Sequence, residues 1–110
     1  MTLTTHVLDL AGGQPAAGIE VVLFRIEGEK RSELARARTN QDGRTEEPLG
    51  AELEAGWYEL VFHAGTYLSA AGLGSFYDQI PVRFRVDPGM TRYHVPLLLS
   101  PWGYSTYRGS

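Results

Sequence analysis

The chain has 110 residues, 43% of them hydrophobic and 21% charged, with a formal net charge of -3 at pH 7. That length suffices for one domain over residues 1–110 built on a single core. The mild acidity gives no reason to expect nucleic acid or an anionic membrane as partner. With no cysteine in the chain, disulfides, thiolate metal sites and thiol nucleophiles are excluded. The opening "MTLTTHVLDL" lacks the basic start and apolar run of a signal peptide. No stretch approaches the ~20 apolar residues of a membrane span, so a soluble, cytoplasmic protein is expected.

Alternation with period two dominates the pattern. "THVLDL" reads as a strand, followed by the turn-rich "AGGQPAAG". "IEVVLFRIE" is apolar on both faces and is expected at the centre of a sheet. "SELARART" sets Arg36 and Arg38 against Ala35, Ala37 and Thr39. The turn signal "NQDGR" that follows favours a strand there over a helix. "GWYELVFHA" puts Tyr58, Leu60 and Phe62 on one face with Glu59 and His63 opposite. "GTYLSAAGLG" is the one helical stretch, with Thr66 expected to help start it and Gly72 to stop it. "IPVRFRVD" alternates Val82, Phe84 and Val86 with Arg83 and Arg85. "DPG" then turns the chain into "RYHVPLLLS", and "PWG" turns it again into "YSTYR". Seven to eight short strands and one short helix describe an all-β, two-sheet sandwich.

Strand phase selects the residues able to share a site. Val95, Leu97 and Leu99 occupy one face of their strand, leaving His94, Pro96 and Leu98 on the other. His6 shares a face with Thr4 and Leu8, and Ser105 shares one with Tyr107. Pro96 brings no donor and suits a position without a ladder bond. An outward face holding Leu8, Pro96 and Leu98 beside His6 and His94 is too apolar for water, and a second copy of the chain is expected to cover it.

Taken singly, the polar residues carry little. His63, at a strand end before the helix, reads as an exposed or capping residue. The three histidines have no short metal-ligand spacing, and no metal or cofactor is expected. No glycine-rich phosphate loop precedes a lysine, and no Gly-x-Ser-x-Gly elbow is present. Adjacent Glu46 and Glu47 read as a solvated loop, and Arg44 alone reads as a turn charge.

Together they say more. "LTTHVLDLAGGQPAAGIEVVLF", "TNQDGR" and "YHVPLLLSPWGYSTYRGS" resemble the 5-hydroxyisourate hydrolases, enzymatic relatives of transthyretin, over Leu3 to Ser110. The terminal Tyr107-Arg108-Gly109-Ser110 is the most specific part of the resemblance. Departures are Trp102 where Tyr or Phe is common, Arg92 where His is frequent, and "FYDQ" in place of "FFPE"-like sequences. The resemblance implies a transthyretin-like sandwich and a homotetrameric dimer of dimers, with active sites in a channel between facing sheets. It implies hydrolytic opening of the 5-hydroxyisourate lactam without a cofactor. His6, Arg44, His94 and Ser110 are the implied catalytic positions, and His6, Arg44 and Tyr107 the substrate-binding ones. Such a reaction needs a base for water, a cation for the oxyanion and a proton for the leaving nitrogen. Either His6 or His94 suits the base, and Arg44 the oxyanion. Arg108 is read as structural, pairing with a neighbouring carboxylate. Two other readings remain: a transthyretin-type carrier using the same channel, and a monomeric sandwich module in which the C-terminal residues have no role.

Overall fold

In the computed structural model, which describes residues 1–110, the period-two segments become strands that bury alternate side chains. In chain order they are β1 (Thr2–Asp9), β2 (Gln14–Pro15), β3 (Glu20–Glu27), β4 (Lys30–Arg38) and β5 (Gly56–His63). The helix α1 (Ala64–Ala70) comes next, then β6 (Gln79–Val86), β7 (Arg92–Ser100) and β8 (Gly103–Thr106). They form two four-stranded sheets, ordered β2-β1-β7-β8 and β4-β3-β5-β6. The sheets face each other over a core that includes Leu3, Val7, Leu23, Leu60, Phe62 and Leu97, the sandwich expected from the alternation.

The central position expected for β3 is observed, with β4 and β5 antiparallel on either side. Val21 and Leu23 face the core, and Val22 on the outer face is also buried. That outer face is roofed by charge. Glu59, buried on β5, accepts from Arg31 at 3.3 Å and from Arg83 at 3.0 Å, while Arg31 lies 4.0 Å over the Phe24 ring. Arginine stems shield apolar strand surface while their heads stay in water.

The helix corrects one expectation. Thr66 does not start it; His63 is the N-cap residue, without a side-chain capping bond, and Thr66 lies one turn inside. The chain enters the helix straight from β5, and the Gly65 N–H is satisfied by the Asp78 carbonyl at 2.9 Å, so no side-chain cap is required. The stop is as expected. Gly72 has φ 75°, and the N–H groups of Gly72 and Leu73 return to the carbonyls of Ser69 and Leu68 in a Schellman closure.

The sheet β2-β1-β7-β8 positions the chemistry. Its two middle strands are parallel, with Thr4 beside His94 and His6 beside Pro96. Between Arg38 and Gly56 there is no strand. The chain instead follows the free edge of β1, held by the Val7 N–H on the Gly43 carbonyl (2.8 Å) and by Leu3 bonded to Leu49 and Gly50. Gly43 sits at φ 75°, with its Cα hydrogen turned onto the Val7 carbonyl oxygen. A Cβ there adds a left-handed φ to a backbone collision. Gly43→Ala should therefore lower unfolding stability by more than about 1 kcal/mol, read as a reduced urea midpoint at unchanged slope.

Candidate active site

The "NQDGR" turn is built around Asn40. Its Oδ1 accepts from the Asp42 N–H (2.9 Å) and the Arg44 N–H (3.2 Å), and its carbonyl accepts from the Gly43 N–H (2.9 Å). Docked on Val7 by Gly43, the turn presents Arg44 beside the outer face of β1. The following residues bow away from β1 before rejoining it at Leu49. The bow encloses a cavity of about 500 Å³ with Thr4 and Thr5 on its floor. Arg44, Arg92, His94 and Ser110 line it, and Glu46 and Glu47 form its loop side.

Here the structure unites three of the four expected catalytic residues: Arg44 from the turn, His94 from β7 and Ser110 from the tail. His6 stays on the same sheet face, half-buried and two residues along the ladder from the Thr4–His94 pair. It lies against the turn at Gly43 and does not line the cavity itself. Its charge nonetheless reaches His94.

His94 is held from two directions. Its Nδ1 lies 2.9 Å from Thr4 Oγ1. Across its Cδ2 edge runs Gly109, whose N–H donates to the His94 carbonyl at 2.7 Å. A Cβ at position 109 would stand 2.6 Å from His94 Cδ2, so glycine is what lets the tail close on the imidazole. Burial pushes the His94 proton affinity below the ordinary histidine range, and the charges of Arg44, His6 and Arg92 push it further down. Hydrogen bonding to the Thr4 main chain opposes them. Neither Arg44 nor Arg92 belongs to an ion pair. The cavity thus offers two uncommitted guanidiniums and a histidine that stays neutral near neutral pH, a setting for an oxygen-rich anion or a developing oxyanion.

Tyr107 lies elsewhere. Gly109 opposite His94 keeps the register of the β7–β8 ladder, which sets Tyr107 across from Pro96, where β7 has no N–H to give. Regular pairing stops at Thr106, whose hydroxyl takes the Pro96 carbonyl at 2.7 Å. Tyr107 is 56% exposed and borders a separate, apolar cleft of about 160 Å³ at the open edge between β6 and β8. Arg108 does not pair with a carboxylate as expected; its guanidinium lies 4.9 Å over the Tyr93 ring. His63 stands 3.7 Å from Glu20 on the opposite sheet, far from this cavity.

Sequence reasoning passed over Thr4, Thr5 and Arg92, and it read Glu46 and Glu47 as plain loop. Two of these had a usable signal. Thr4 precedes His6 by two, and Arg92 precedes His94 by two, so strand period alone puts each on its histidine's face.

Comparison with known proteins follows the same outline. Residues 3–109 match the model of the HIUase/Transthyretin family. The 5-hydroxyisourate hydrolase 2 of Rhizobium meliloti (strain 1021) is 52% identical over 114 residues, covering 98% of this chain and 95% of that protein. Among solved structures, Klebsiella pneumoniae 5-hydroxyisourate hydrolase superposes with a TM-score of 0.87 at 40% identity, over 99% of this chain and 98% of the other. Sea bream transthyretin in complex with thyroxine superposes at 0.92 with 26% identity, over 99% and 95%. With a match that runs nearly end to end, the chain belongs to the HIUase/transthyretin family.

Proposed function

We propose that this protein hydrolyses 5-hydroxyisourate, opening its lactam ring with water as a step in urate breakdown. The observation that carries the reading is the cavity in which a neutral His94, an uncommitted Arg44 and Ser110 converge, in a chain about half identical to enzymes bearing that name. His94 Nε2 takes a proton from water as the water oxygen bonds to the lactam carbonyl carbon. Arg44, exposed at the rim of the cavity in the single chain, holds the resulting oxyanion, most strongly where assembly excludes bulk water. The C–N bond then breaks, the nitrogen takes the proton back from His94, and the new carboxyl ionises. His6 orients water or substrate through its proximity to His94, and Ser110 positions the water. In one subunit Tyr107 is outside the substrate's immediate surroundings, so its expected contact with substrate depends on assembly. The sequence of steps asks for no cofactor.

A carrier with the same fold is the weaker reading. The cavity is lined by charged and polar side chains, which suit a small oxygen-rich ring better than a large apolar ligand.

We also infer a homotetramer, a dimer of dimers in which the outer faces of two β2-β1-β7-β8 sheets flank a channel. In support, Leu8, Pro96 and Leu98 lie on that face beside His6, on the side away from Arg92. No helix is long and apolar enough to cross a membrane; a cysteine-free enzyme of this kind suits the reducing cytoplasm.

Three outcomes test these readings. With 5-hydroxyisourate generated from urate by an oxidase, loss of its ultraviolet band should far outpace spontaneous decay. His94→Ala and Arg44→Ala should each reduce kcat/KM by about a hundredfold or more, with His6→Ala also losing most activity. A wild-type rate equal to the spontaneous one would sink the hydrolase reading. The pH profile has a fixed sign. The working form of His94 is neutral and its proton affinity is lowered, so activity should persist below the ordinary histidine value of about 6.5 and fall only at lower pH. Arg92→Gln removes one repelling charge, raises that affinity, and should move the acid limb of kcat/KM to higher pH. Light scattering should give four times the chain mass; a monomer would contradict the assembly.

A further inference from the structure

Of the two ring nitrogens of His94, only Nδ1 has a protein partner, the Thr4 hydroxyl at 2.9 Å. The contact is a direct product of topology, because β1 and β7 run parallel with Thr4 beside His94 and both side chains point out of the sandwich. With Nδ1 on Thr4 and the Cδ2 edge against Gly109, the remaining nitrogen, Nε2, is the one left to a ligand in the cavity that His94 lines. A neutral imidazole has one protonated nitrogen and one lone pair, and the partner of one nitrogen decides the state of the other.

We propose that Thr4 is a positioning residue that keeps the proton of neutral His94 on Nδ1, so that Nε2 meets water as a base. The proposal rests on the hydrolase reading for what the base does, but the tautomer can be observed without catalysis. Thr4 Oγ1 makes no other hydrogen bond; a hydroxyl can donate or accept, and accepting Nδ1–H is the arrangement that leaves the Nε2 lone pair facing the cavity.

A hydroxyl that accepts Nδ1–H, in contrast to a carboxylate, holds that tautomer without strongly favouring the charged ring. A carboxylate at Nδ1 would raise the proton affinity of His94 and load the base before substrate arrives. The groups facing the ring act in the opposite direction: Arg44 from the turn, Arg92 from β7 itself and His6 from β1. Glu46 and Glu47 share the cavity, but neither pairs with the imidazole. During turnover Nε2 gains the proton of water and returns it to the leaving nitrogen, while Nδ1–H stays on Thr4 throughout, so protons balance.

The test reads the ring directly. In uniformly 15N-labelled full-length protein, at a pH where the ring is neutral, two-bond 1H–15N correlations should show His94 protonated at Nδ1. Thr4→Val, nearly the same shape without the hydroxyl, should shift the ring toward the Nε2–H tautomer. It should lower kcat by about tenfold with KM nearly unchanged, and Thr4→Ser should restore both. A wild-type ring protonated at Nε2, or a Thr4→Val ring still protonated at Nδ1, overturns the proposal whatever the rates. A Thr4→Ser variant that recovers neither tautomer nor kcat overturns it too, since loss of the methyl would then explain the effect. If Thr4 controls the tautomer but wild-type protein does not accelerate 5-hydroxyisourate decay, the hydrolase reading and the base role fall while the tautomer assignment stands.

Discussion

The parallel pairing of β1 with β7 is the constraint on which the rest of the site depends. It joins residues some ninety positions apart and fixes them to within one register step, so that Thr4 adjoins His94 and His6 adjoins Pro96. An antiparallel or slipped pairing would leave the same residues in the sequence and no site. A slip of one residue by either strand would turn that strand's histidine into the core and its apolar set into water. The register is therefore protected by hydrophobic burial: Leu3, Val7, Leu97 and Leu99 are fully buried and cannot be moved to the other face. Stability and chemistry are set by the two faces of the same pair of strands.

The second requirement is a cation over that face, and a loop supplies it. Along the part of β1 that β2 leaves unpaired, the chain forms the Asn40 turn and is bonded through its backbone to β1 at Val7 and Leu3. The open span between those contacts makes the cavity. Edge strands are usually covered to hide unpaired backbone; here partial covering leaves room for a ligand while delivering Arg44. Gly43 makes the arrangement possible, because its backbone approaches Val7 more closely than a side chain allows.

What was legible in the sequence follows from the range of the physics involved. Period-two alternation is local, so β1, β3, β5, β6 and β7 could be read directly, and the buried outer face of β3 marked it as central. The facing directions of His6 and His94 follow from the same period. Gly72 was legible because a left-handed stop has a local residue signature, whereas Thr66 misled because the start of α1 is satisfied from Asp78, fifteen residues beyond the N-cap position, and no local pattern records that bond. Tyr107 shows the limit of phase. Extrapolating β8 through Tyr107 assumes a ladder that Pro96 interrupts, and the exposed ring ends beside the sheet edge. Arg44 was legible only as a turn residue; its place in the cavity depends on where that turn docks. The resemblance supplied what local pattern could not, by bringing His6, Arg44, His94 and Ser110 into one set before any contact among them was known.

The likeness to a transthyretin solved with thyroxine sharpens what the fold does and does not determine. At a TM-score of 0.92 with 26% identity, the sandwich itself cannot be the source of hydrolytic chemistry, since fold and function are separable. The difference has to reside in a few outward-facing residues and in how tightly the tail approaches them. In this chain that approach is set by Gly109, which has no Cβ to hold the tail off the imidazole. The ring is thereby partly buried among cations, and burial is the largest influence keeping it neutral. A longer side chain at position 109 would open the site, hydrate the ring and raise its proton affinity toward the ordinary histidine value, without disturbing either sheet. The tail is thus part of the electrostatic environment of His94, and the short stretch after β8 contributes to chemistry by what it excludes as much as by the groups it brings.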